Sequence, residues 1–349
     1  MPESKLLRRN VLQVLGLAGL AGTGVRPAWA QGSGASVEYG IAGADALHSA
    51  AYVASQKGDF DKHGLKVSVI NSQSGPRSKQ MLAAGQLLAA TSGCNDSLAL
   101  SMAGKHSVLV YGFDKRIGFA NLLVHKDSYD SGKIRKVSDL EGQNIAVTQP
   151  QSATWLMAVF LADKAGIKDK VQIRGLGDFT TMLGALKSKQ VQATIATIGM
   201  VDAATAEGWA VPIFQATSDE EWQAVFGGDV PGVGVYVLAD TIAKRRADVQ
   251  AFVDGLVAGQ DFLNVSTPEQ IAAVVRQEFL SSYAEDAVVK SIRTYQKSLW
   301  TKDNLITPES YQRLIGIMTG RQITPEDAAQ LPYDKMVDMS FVKSARKMG

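Results

Sequence analysis

Residues 144–157 read NIAVTQPQSATWLM and combine an apolar run, a polar turn and the start of an amphipathic pattern. The apolar run predicts a strand, and the spacing of apolar residues from Trp155 onward predicts a helix. The turn lacks the glycine fingerprint and the Walker lysine of nucleotide-binding turns. We therefore expect its neutral donors and acceptors to hold one end of a small solute, with Ser152 also capping the helix. These residues are Gln149, Gln151, Ser152 and Thr154.

The same order of strand, turn and helix recurs along the chain, which predicts parallel sheets joined by crossover helices. The other predicted strands cover residues 37–41, 66–70, 87–91, 108–111 and 119–124. A shift of 104 residues lays residues 83–110 over residues 187–214 with the elements in the same order. This match predicts a duplicated α/β unit, and two ordinary strand–helix units remain the alternative. Beyond about residue 239 the pattern is helical.

The first thirty residues resemble an export signal. Arg8 and Arg9 precede an apolar, glycine-rich stretch, and Ala28-Trp29-Ala30 offers a cleavage site. We expect a twin-arginine-like signal cleaved after about Ala30 and a periplasmic location, with an ordinary secretion signal as the alternative. Removing the signal takes away four basic side chains and one acidic one, so the net charge falls from +2 to −1. A nearly neutral mature chain argues against nucleic-acid binding.

Few side chains suggest catalysis or metal binding. Cys94, the single cysteine, excludes an internal disulfide and follows a predicted strand, with His48 or His106 as a conceivable base. A cysteine in a turn of small residues more often fills space. The four histidines show no metal-ligand spacing. We therefore predict a protein without enzyme activity, bound metal or cofactor.

Five polar turns follow predicted strands and precede predicted helices. In parallel α/β sheets such turns collect at the carboxyl ends of the strands, where ligands bind. Free N–H groups at helix starts suit the acidic end of a small molecule. Besides the residues of the turn after Val147, the candidate ligand-binding residues are Asp45, His48, Arg77, Ser92, Gly93, Cys94, Asn95, Thr197, Gly199 and Met200.

Four segments carry a resemblance to a known family. They are YVASQKGDFDKHGLKVSVI (52–70), GPRSKQMLAAGQ (75–86), TSGCNDSLALSMAG (91–104) and KVSDLEGQNIAV (136–147). In their order and spacing they resemble the periplasmic substrate-binding proteins of ABC importers for aliphatic sulfonates, taurine and nitrate, a group that includes thiamine-precursor binders. The likeness extends over about residues 37–263.

The resemblance implies the type II periplasmic binding protein fold, an α/β fold of two lobes joined by a two-strand hinge. Lobe 1 would comprise residues 37–124 and 233–349, with the helical C-terminal segment packed on it, and lobe 2 residues 125–232. The crossing strands would be 121–124 and 234–238. The implied function is capture of a small organic anion, sulfonate-like or carboxylate, in the cleft between the lobes. A monomer would then deliver it to an ABC permease of the inner membrane.

The sequence departs from the family pattern in ways that leave the ligand open. Leu88 and Gln192 stand where the family often has aspartate, and 198–200 replaces a Trp-Asp-Pro segment. Asp45 and Asp96 would place negative charge near the cleft. One alternative is therefore a binding protein for a neutral heterocycle or zwitterion that serves another transporter or a sensor. The other is an enzyme related to thiamine-precursor synthesis that uses Cys94 or a histidine, although that family's cysteine-rich motif is absent.

Overall fold

The computed structural model describes residues 32–348. The predicted export signal, with Arg8, Arg9 and the cleavage site at Ala30, lies outside the described residues. Within 32–348 no helix is long and apolar enough to cross a membrane.

The strands form two five-stranded sheets. The first has the order β2-β1-β3-β10-β4. Its strands are β1 (Ser36–Ile41), β2 (Lys66–Asn71), β3 (Ala89–Gly93), β4 (Ser107–Gly112) and β10 (Val233–Leu238). β1 pairs in parallel with β2 and β3, whereas β10 is antiparallel to β3 and β4. Every residue of β3 and β4 is buried, as is typical of strands covered on both faces.

The second sheet repeats this arrangement with the order β7-β6-β8-β5-β9. Its strands are β5 (Asn121–His125), β6 (Asn144–Val147), β7 (Gln172–Gly175), β8 (Ala193–Ala196) and β9 (Ala210–Phe214). Here β5 is the antiparallel strand, between β8 and β9. The fourth strand of each sheet, β10 or β5, is thus the one that runs antiparallel to both of its neighbours.

Helices cover the sheets and form the C-terminal segment. Those of the strand–helix units are α1 (Ser49–Gln56), α2 (Asp59–Lys62), α3 (Gly75–Ala83), α4 (Cys94–Met102), α5 (Lys126–Asp130), α6 (Ala153–Lys164), α7 (Phe179–Lys187), α8 (Ile198–Ala206) and α9 (Asp219–Phe226). The C-terminal helices are α10 (Ala239–Val265), α11 (Pro268–Phe279), α12 (Glu285–Thr294), α13 (Pro308–Met318), α14 (Pro325–Ala329), α15 (Tyr333–Met336) and α16 (Ser340–Ala345).

The predicted order of elements in the two aligned windows is confirmed. Helix α4 begins at residue 94 and α8 at residue 198, so the same shift of 104 residues superposes them in the sequence. The strands before and after each helix also correspond, β3 with β8 and β4 with β9. Each helix therefore starts at the carboxyl end of an equivalent strand in its own sheet.

The C-terminal helices pack mainly on the first sheet and its helices. Helix α10 lies along α1, while α15 and α16 contact β4. Three of them, α11, α13 and α14, begin with a threonine N-cap followed by proline. The threonine hydroxyl accepts a backbone N–H of the first turn and proline needs no partner there, which explains why these helices start where they do. Helix α12 also reaches α8 beside the second sheet.

Two segments, 113–120 and 227–232, connect the sheets, and Asp114 ties them together. Its Oδ1 accepts the backbone N–H groups of Gly232 (2.8 Å) and Val233 (2.9 Å). Its Oδ2 accepts the N–H of Gly118 at 3.4 Å. The connections are thus held to one buried carboxyl group. The lobe boundaries at residues 124 and 232 stay a prediction; β5 pairs with strands of the second sheet and β10 with strands of the first.

Candidate functional site

A cavity of about 50 Å³ lies where the polar turns of the two sheets meet, within about 460 Å³ of empty space that includes the part open to solvent. Turns after β1, β2 and β3 form one wall, and turns after β6 and β8 form the other. Six predicted ligand-binding residues line it. They are His48, Ser92, Gly93, Ser152, Thr154 and Thr197.

Four helix N-termini converge on this cavity. Gly75 is the first residue of α3 and Gly93 the N-cap of α4. On the opposite wall the hydroxyl of Ser152 accepts the N–H of Trp155 at 3.1 Å, and that of Thr197 accepts the N–H of Met200 at 3.3 Å. The first N–H groups of a helix have no partner within that helix, and the helix dipole is positive at this end. The cavity is therefore suited to a group that accepts hydrogen bonds.

A hydroxyl network fixes the wall formed by the turn after β6. The Oγ1 atoms of Thr148 and Thr154 lie 2.9 Å apart, and Ser152 Oγ lies 2.9 Å from Thr154 Oγ1. The N–H of Thr148 donates to Thr154 Oγ1 at 3.0 Å. Because each hydroxyl can donate one hydrogen and accept others, the network holds the turn rigid and leaves capacity for a solute.

Four predicted residues, Asp45, Arg77, Gly199 and Met200, lie outside the cavity. Asp45 is buried beside the cavity and accepts the Leu47 N–H (2.9 Å) and the Tyr295 hydroxyl (2.7 Å). Burial raises its pKa, and these hydrogen bonds offset part of the rise. A Cβ on Gly199 would lie 2.9 Å from Asp45 Oδ2, so α8 starts against this carboxyl group. Arg77 is exposed and donates to Gln73. Met200 is buried in the core of the second sheet.

Asn95, Gln149 and Gln151 also lie outside the cavity. Asn95 donates to Gln322 Oε1 at 3.1 Å, and Gln322 in turn donates to the Gln151 carbonyl at 2.9 Å. The Gln151 side chain is exposed, and its φ of 62° places the backbone in the left-handed region. These contacts join α4, the C-terminal segment and the turn before α6. Gln149 is half-buried at the edge of that turn.

Ten of the sixteen lining residues were not among the predicted ligand-binding residues, and they include Asp96, Phe119 and Phe179. Of these three, only Asp96 was expected near the cleft. Phe179 follows the Asp178 N-cap of α7, and its ring lies 2.7 Å from the position a Cβ on Gly43 would occupy. The ring therefore covers the turn after β1 from the opposite wall. A phenylalanine that follows an N-cap usually packs in the core. The position of Phe179 at the cavity is therefore visible only from its contact with Gly43.

Asp96 and His48 are the titratable side chains of the cavity wall. Asp96 is 0 % exposed, and burial raises its pKa to about 6, with Lys79 and the Ser92 hydroxyl offsetting part of the effect. His48 is 4 % exposed, and burial lowers its pKa to about 4, so the ring is neutral at pH 7. Among residues 32–348, no lysine or arginine lines the cavity.

Cys94 is buried behind this wall rather than in it. A Cβ on Gly234 of β10 would lie 3.0 Å from its Sγ. Burial raises the pKa of the thiol well above its usual value, and the nearby Asp114 and Asp96 add to the effect. A protonated, inaccessible thiol is a poor nucleophile.

We expect Cys94 in the native protein to resist alkylation and Cys94→Ala to bind solute as tightly as the wild type. The physical reason is its full burial in the first sheet's core. Iodoacetamide labelling followed by mass spectrometry, with and without denaturant, checks the first point, and titration of the variant checks the second. Rapid labelling of the native thiol, or a turnover that the substitution abolishes, would contradict this result.

Comparisons with known proteins agree with this geometry. Residues 45–271 match the family described as NMT1/THI5 like. A curated binding protein of Brucella abortus (strain 2308) is 32 % identical over 142 residues, which are 40 % of this chain and 41 % of that protein. The chain thus spans about two fifths of the length of the curated relatives it matches.

Solved structures share the fold. A protein of Bordetella bronchiseptica RB50 is 21 % identical with a TM-score of 0.80, over 90 % of this chain and 97 % of that one. The alkanesulfonate-binding protein SsuA of Xanthomonas axonopodis pv. citri, bound to MOPS, is 17 % identical with a TM-score of 0.67, over 89 % and 97 %. The desulfurization enzyme DszB is 15 % identical with a TM-score of 0.58, over 89 % and 99 %.

These likenesses confirm the predicted architecture. Two α/β sheets with a helical C-terminal segment form the type II periplasmic binding protein fold. The family match covers residues 45–271, well over half of the chain. The chain therefore belongs to the NMT1/THI5-like family.

Proposed function

We propose that this protein is an exported solute-binding protein that captures a small molecule between two lobes and delivers it to an ABC importer. The observation that carries the proposal is the cavity itself, because helix starts from both sheets converge on it. Ligand sites of open α/β sheets lie at the carboxyl ends of strands. The proteins named as sulfonate-binding among its structural neighbours support the same role.

The proposed lobes are residues 37–124 with 233–349 and residues 125–232, and they close on the solute about the segments that Asp114 joins. Ion pairs between the two proposed lobes support a closed form. Lys290 of α12 lies 2.9 Å from Asp202 of α8, and an ion pair joins Arg321 of the C-terminal segment to Asp163 of α6. A solute that contacts both walls stabilises this form over an open one, and that difference drives closure.

We propose a small organic anion, sulfonate-like or carboxylate, as the first candidate ligand. The four helix N-termini and the hydroxyl groups favour an anionic or hydrogen-bond-accepting group. A neutral heterocycle or a zwitterion is the second candidate, since Asp96 and the neutral His48 line the same cavity. A zwitterion satisfies both observations.

Export to the periplasm, action as a monomer and docking on a permease of the inner membrane complete the proposal. The name of the nitrate-binding neighbour and those of two sulfonate-binding neighbours place those proteins in the periplasm, which supports the location predicted from residues 1–30. A role without catalysis is supported by the burial of Cys94. The enzyme DszB shares the fold, so the fold alone favours neither role.

The proposal predicts that the purified protein binds at least one small solute with a measurable gain in thermal stability. Native mass spectrometry of the protein purified from its source reveals any retained ligand, and a thermal-shift screen covers sulfonates, carboxylates, amino acids and heterocycles. At a ligand concentration of 100 times Kd the stability rises by about 2.7 kcal/mol. Absence of any retained molecule, together with no shift across the screen, would contradict the proposal. Product formation from a bound compound would instead favour the enzyme.

A further inference from the structure

We infer that the solute presents N–H donors to Asp96, so that, of the two candidate classes proposed above, a zwitterion carrying an ammonium or amidinium-type group binds better than a bare anion. The inference rests on the proposed function and specifies the ligand of that site. Asp96 then acts as the residue that selects for the nitrogen group.

Asp96 is a carboxyl group without a hydrogen-bond partner at the cavity wall. Its side chain is 0 % exposed, and within residues 32–348 neither oxygen makes a hydrogen bond. Lys79 Nζ lies 3.8 Å from Oδ1, beyond hydrogen-bond distance. A buried carboxylate without hydrogen bonds destabilises a fold. Lys79 is the ion-pair partner of Asp96, and a ligand donor can supply the hydrogen bonds that both of its oxygens lack.

The backbone of α3 approaches Asp96 closely at Gly75. Gly75 begins α3 directly opposite, and a Cβ there would lie 2.1 Å from Asp96 Oδ2. Any other residue at this position would push the carboxyl group away or displace α3. The Ser92 hydroxyl lies 2.9 Å from the Tyr236 hydroxyl, and either of them can be the donor of that hydrogen bond. The carboxyl group is buried in this closed form, so a ligand donor reaches it as the walls close on the solute, in competition with the Ser92 hydroxyl.

The remainder of the wall suits the other end of such a ligand. The hydroxyls of Ser152, Thr154 and Thr197 and the starts of α6 and α8 face the cavity from the second sheet. They favour an acceptor group, while Asp96 and α4 belong to the opposite wall. His48 lines the cavity with both ring nitrogens unpartnered among the described residues. A short zwitterion can bridge the walls, with its nitrogen at Asp96.

A purely structural role for Asp96 makes the opposite prediction for stability. If Asp96 served only to pair with Lys79 or to stabilise the start of α3, its neutral isostere would weaken the ligand-free fold. If Asp96 is a ligand group, its charge is unfavourable in the protein without solute. Burial raises its pKa to about 6, above the unfolded value of about 3.9. The ionised form therefore destabilises the empty protein above pH 6. Asp96→Asn removes that charge and should raise the Tm at pH 7.5 by about 2 °C or more.

The binding test uses matched probes that differ in one amino group. They are 2-aminoethanesulfonate with ethanesulfonate, 3-aminopropanoate with propanoate, and 4-aminobutanoate with butanoate. Calorimetric titration of the wild type at pH 7.5 should give at least a tenfold preference for the amino member of the pair that binds best. Asp96→Asn should reduce this preference to about twofold, and Asp61→Asn, which removes an exposed charge on α2, should leave it unchanged.

Equal binding of the bare anions by the wild type, or an amino preference that survives in Asp96→Asn, would overturn the inference while leaving solute capture intact. A lower Tm for Asp96→Asn would assign Asp96 to the structure and would overturn it too. If neither a probe nor a co-purified molecule binds, the proposed function itself fails and this inference with it.

A measurement on the wild type alone provides an independent check. The amino preference should fall as the pH is lowered from 8 to 5, because Asp96 gains a proton near pH 6. The titratable groups that face it are Lys79 of α3, His48, Cys94 and Tyr236. Burial keeps His48 neutral down to about pH 4, and Cys94 and Tyr236 neutral throughout this range. A preference that is constant over this range would contradict the role of Asp96.

Discussion

Replacing Gly93 by alanine is expected to weaken solute binding on the order of 10- to 100-fold. A Cβ at Gly93 would lie 2.4 Å from the Cβ of Ala153 on the opposite wall, whereas methyl groups in contact are about 3.5–4 Å apart. The start of α4 and the start of α6 must then separate. Forcing extra volume into a packed contact typically costs about 1–3 kcal/mol, which corresponds to this loss of affinity when the contact forms only in the closed protein.

The stability of the ligand-free protein should fall only modestly, because an open form avoids the clash with Ala153, whereas the Asn95 side chain, whose Oδ1 would also lie 2.4 Å from the new Cβ, must rotate away. The backbone of Gly93 has φ of −55° and ψ of 137°, so alanine adds no backbone strain. Gly184→Ala is the matched control, since a Cβ at this position in α7 meets nothing within 4 Å. Titration of both variants with a solute from the thermal-shift screen measures the effect. Affinity of Gly93→Ala within threefold of the wild type would show that these helices do not approach each other in the bound state.

Replacing Asp114 by alanine is expected to lower the free energy of unfolding by about 3–5 kcal/mol. The substitution leaves the N–H groups of Gly118, Gly232 and Val233 without their acceptor in a buried place. Each unsatisfied buried group costs about 1–3 kcal/mol, and water entering the new space offsets part of the sum. No other single side chain among the described residues joins both connections between the sheets through backbone N–H groups.

Urea unfolding of Asp114→Ala measures this loss, with Asp229→Ala as the control. Asp229 is an exposed residue of the same connecting segment, and its carbonyl, not its side chain, accepts a hydrogen bond from Arg313. Exposed substitutions usually change stability by less than about 0.5 kcal/mol. A loss below 1 kcal/mol in Asp114→Ala would show that the connections are held by other contacts.

The architecture could be predicted because its signals are local. Apolar runs and helix starts recur at regular intervals. Helices α11, α13 and α14 each begin with a threonine N-cap followed by proline, a combination that favours a helix start. The 104-residue shift was also detectable, since corresponding turns carry small polar residues at the same position relative to the strand. Strand ends were less certain: β3 spans Ala89–Gly93, two residues later than the predicted run 87–91.

Which side chain of a turn faces the cavity could not be predicted. Cys94 and Asp96 both belong to the first turn of α4, yet Cys94 packs against Gly234 and Asp96 faces Gly75. The rotation of the helix against its sheet decides between them, and this depends on residues more than 100 positions away. Asn95 likewise contacts Gln322, 227 residues along the chain. The polar character of the turns was visible in the sequence, but their orientation is a property of the packed lobes.

A crystal structure of the protein with the solute found by native mass spectrometry or the thermal-shift screen tests the central claim most directly. The account predicts the solute in the cavity that Gly93 and Ala153 border, with a nitrogen group within hydrogen-bond distance of Asp96 and its acceptor end at Ser152 and Thr197. A solute bound elsewhere, such as in the groove lined by Asp303 and Ser310, would contradict it.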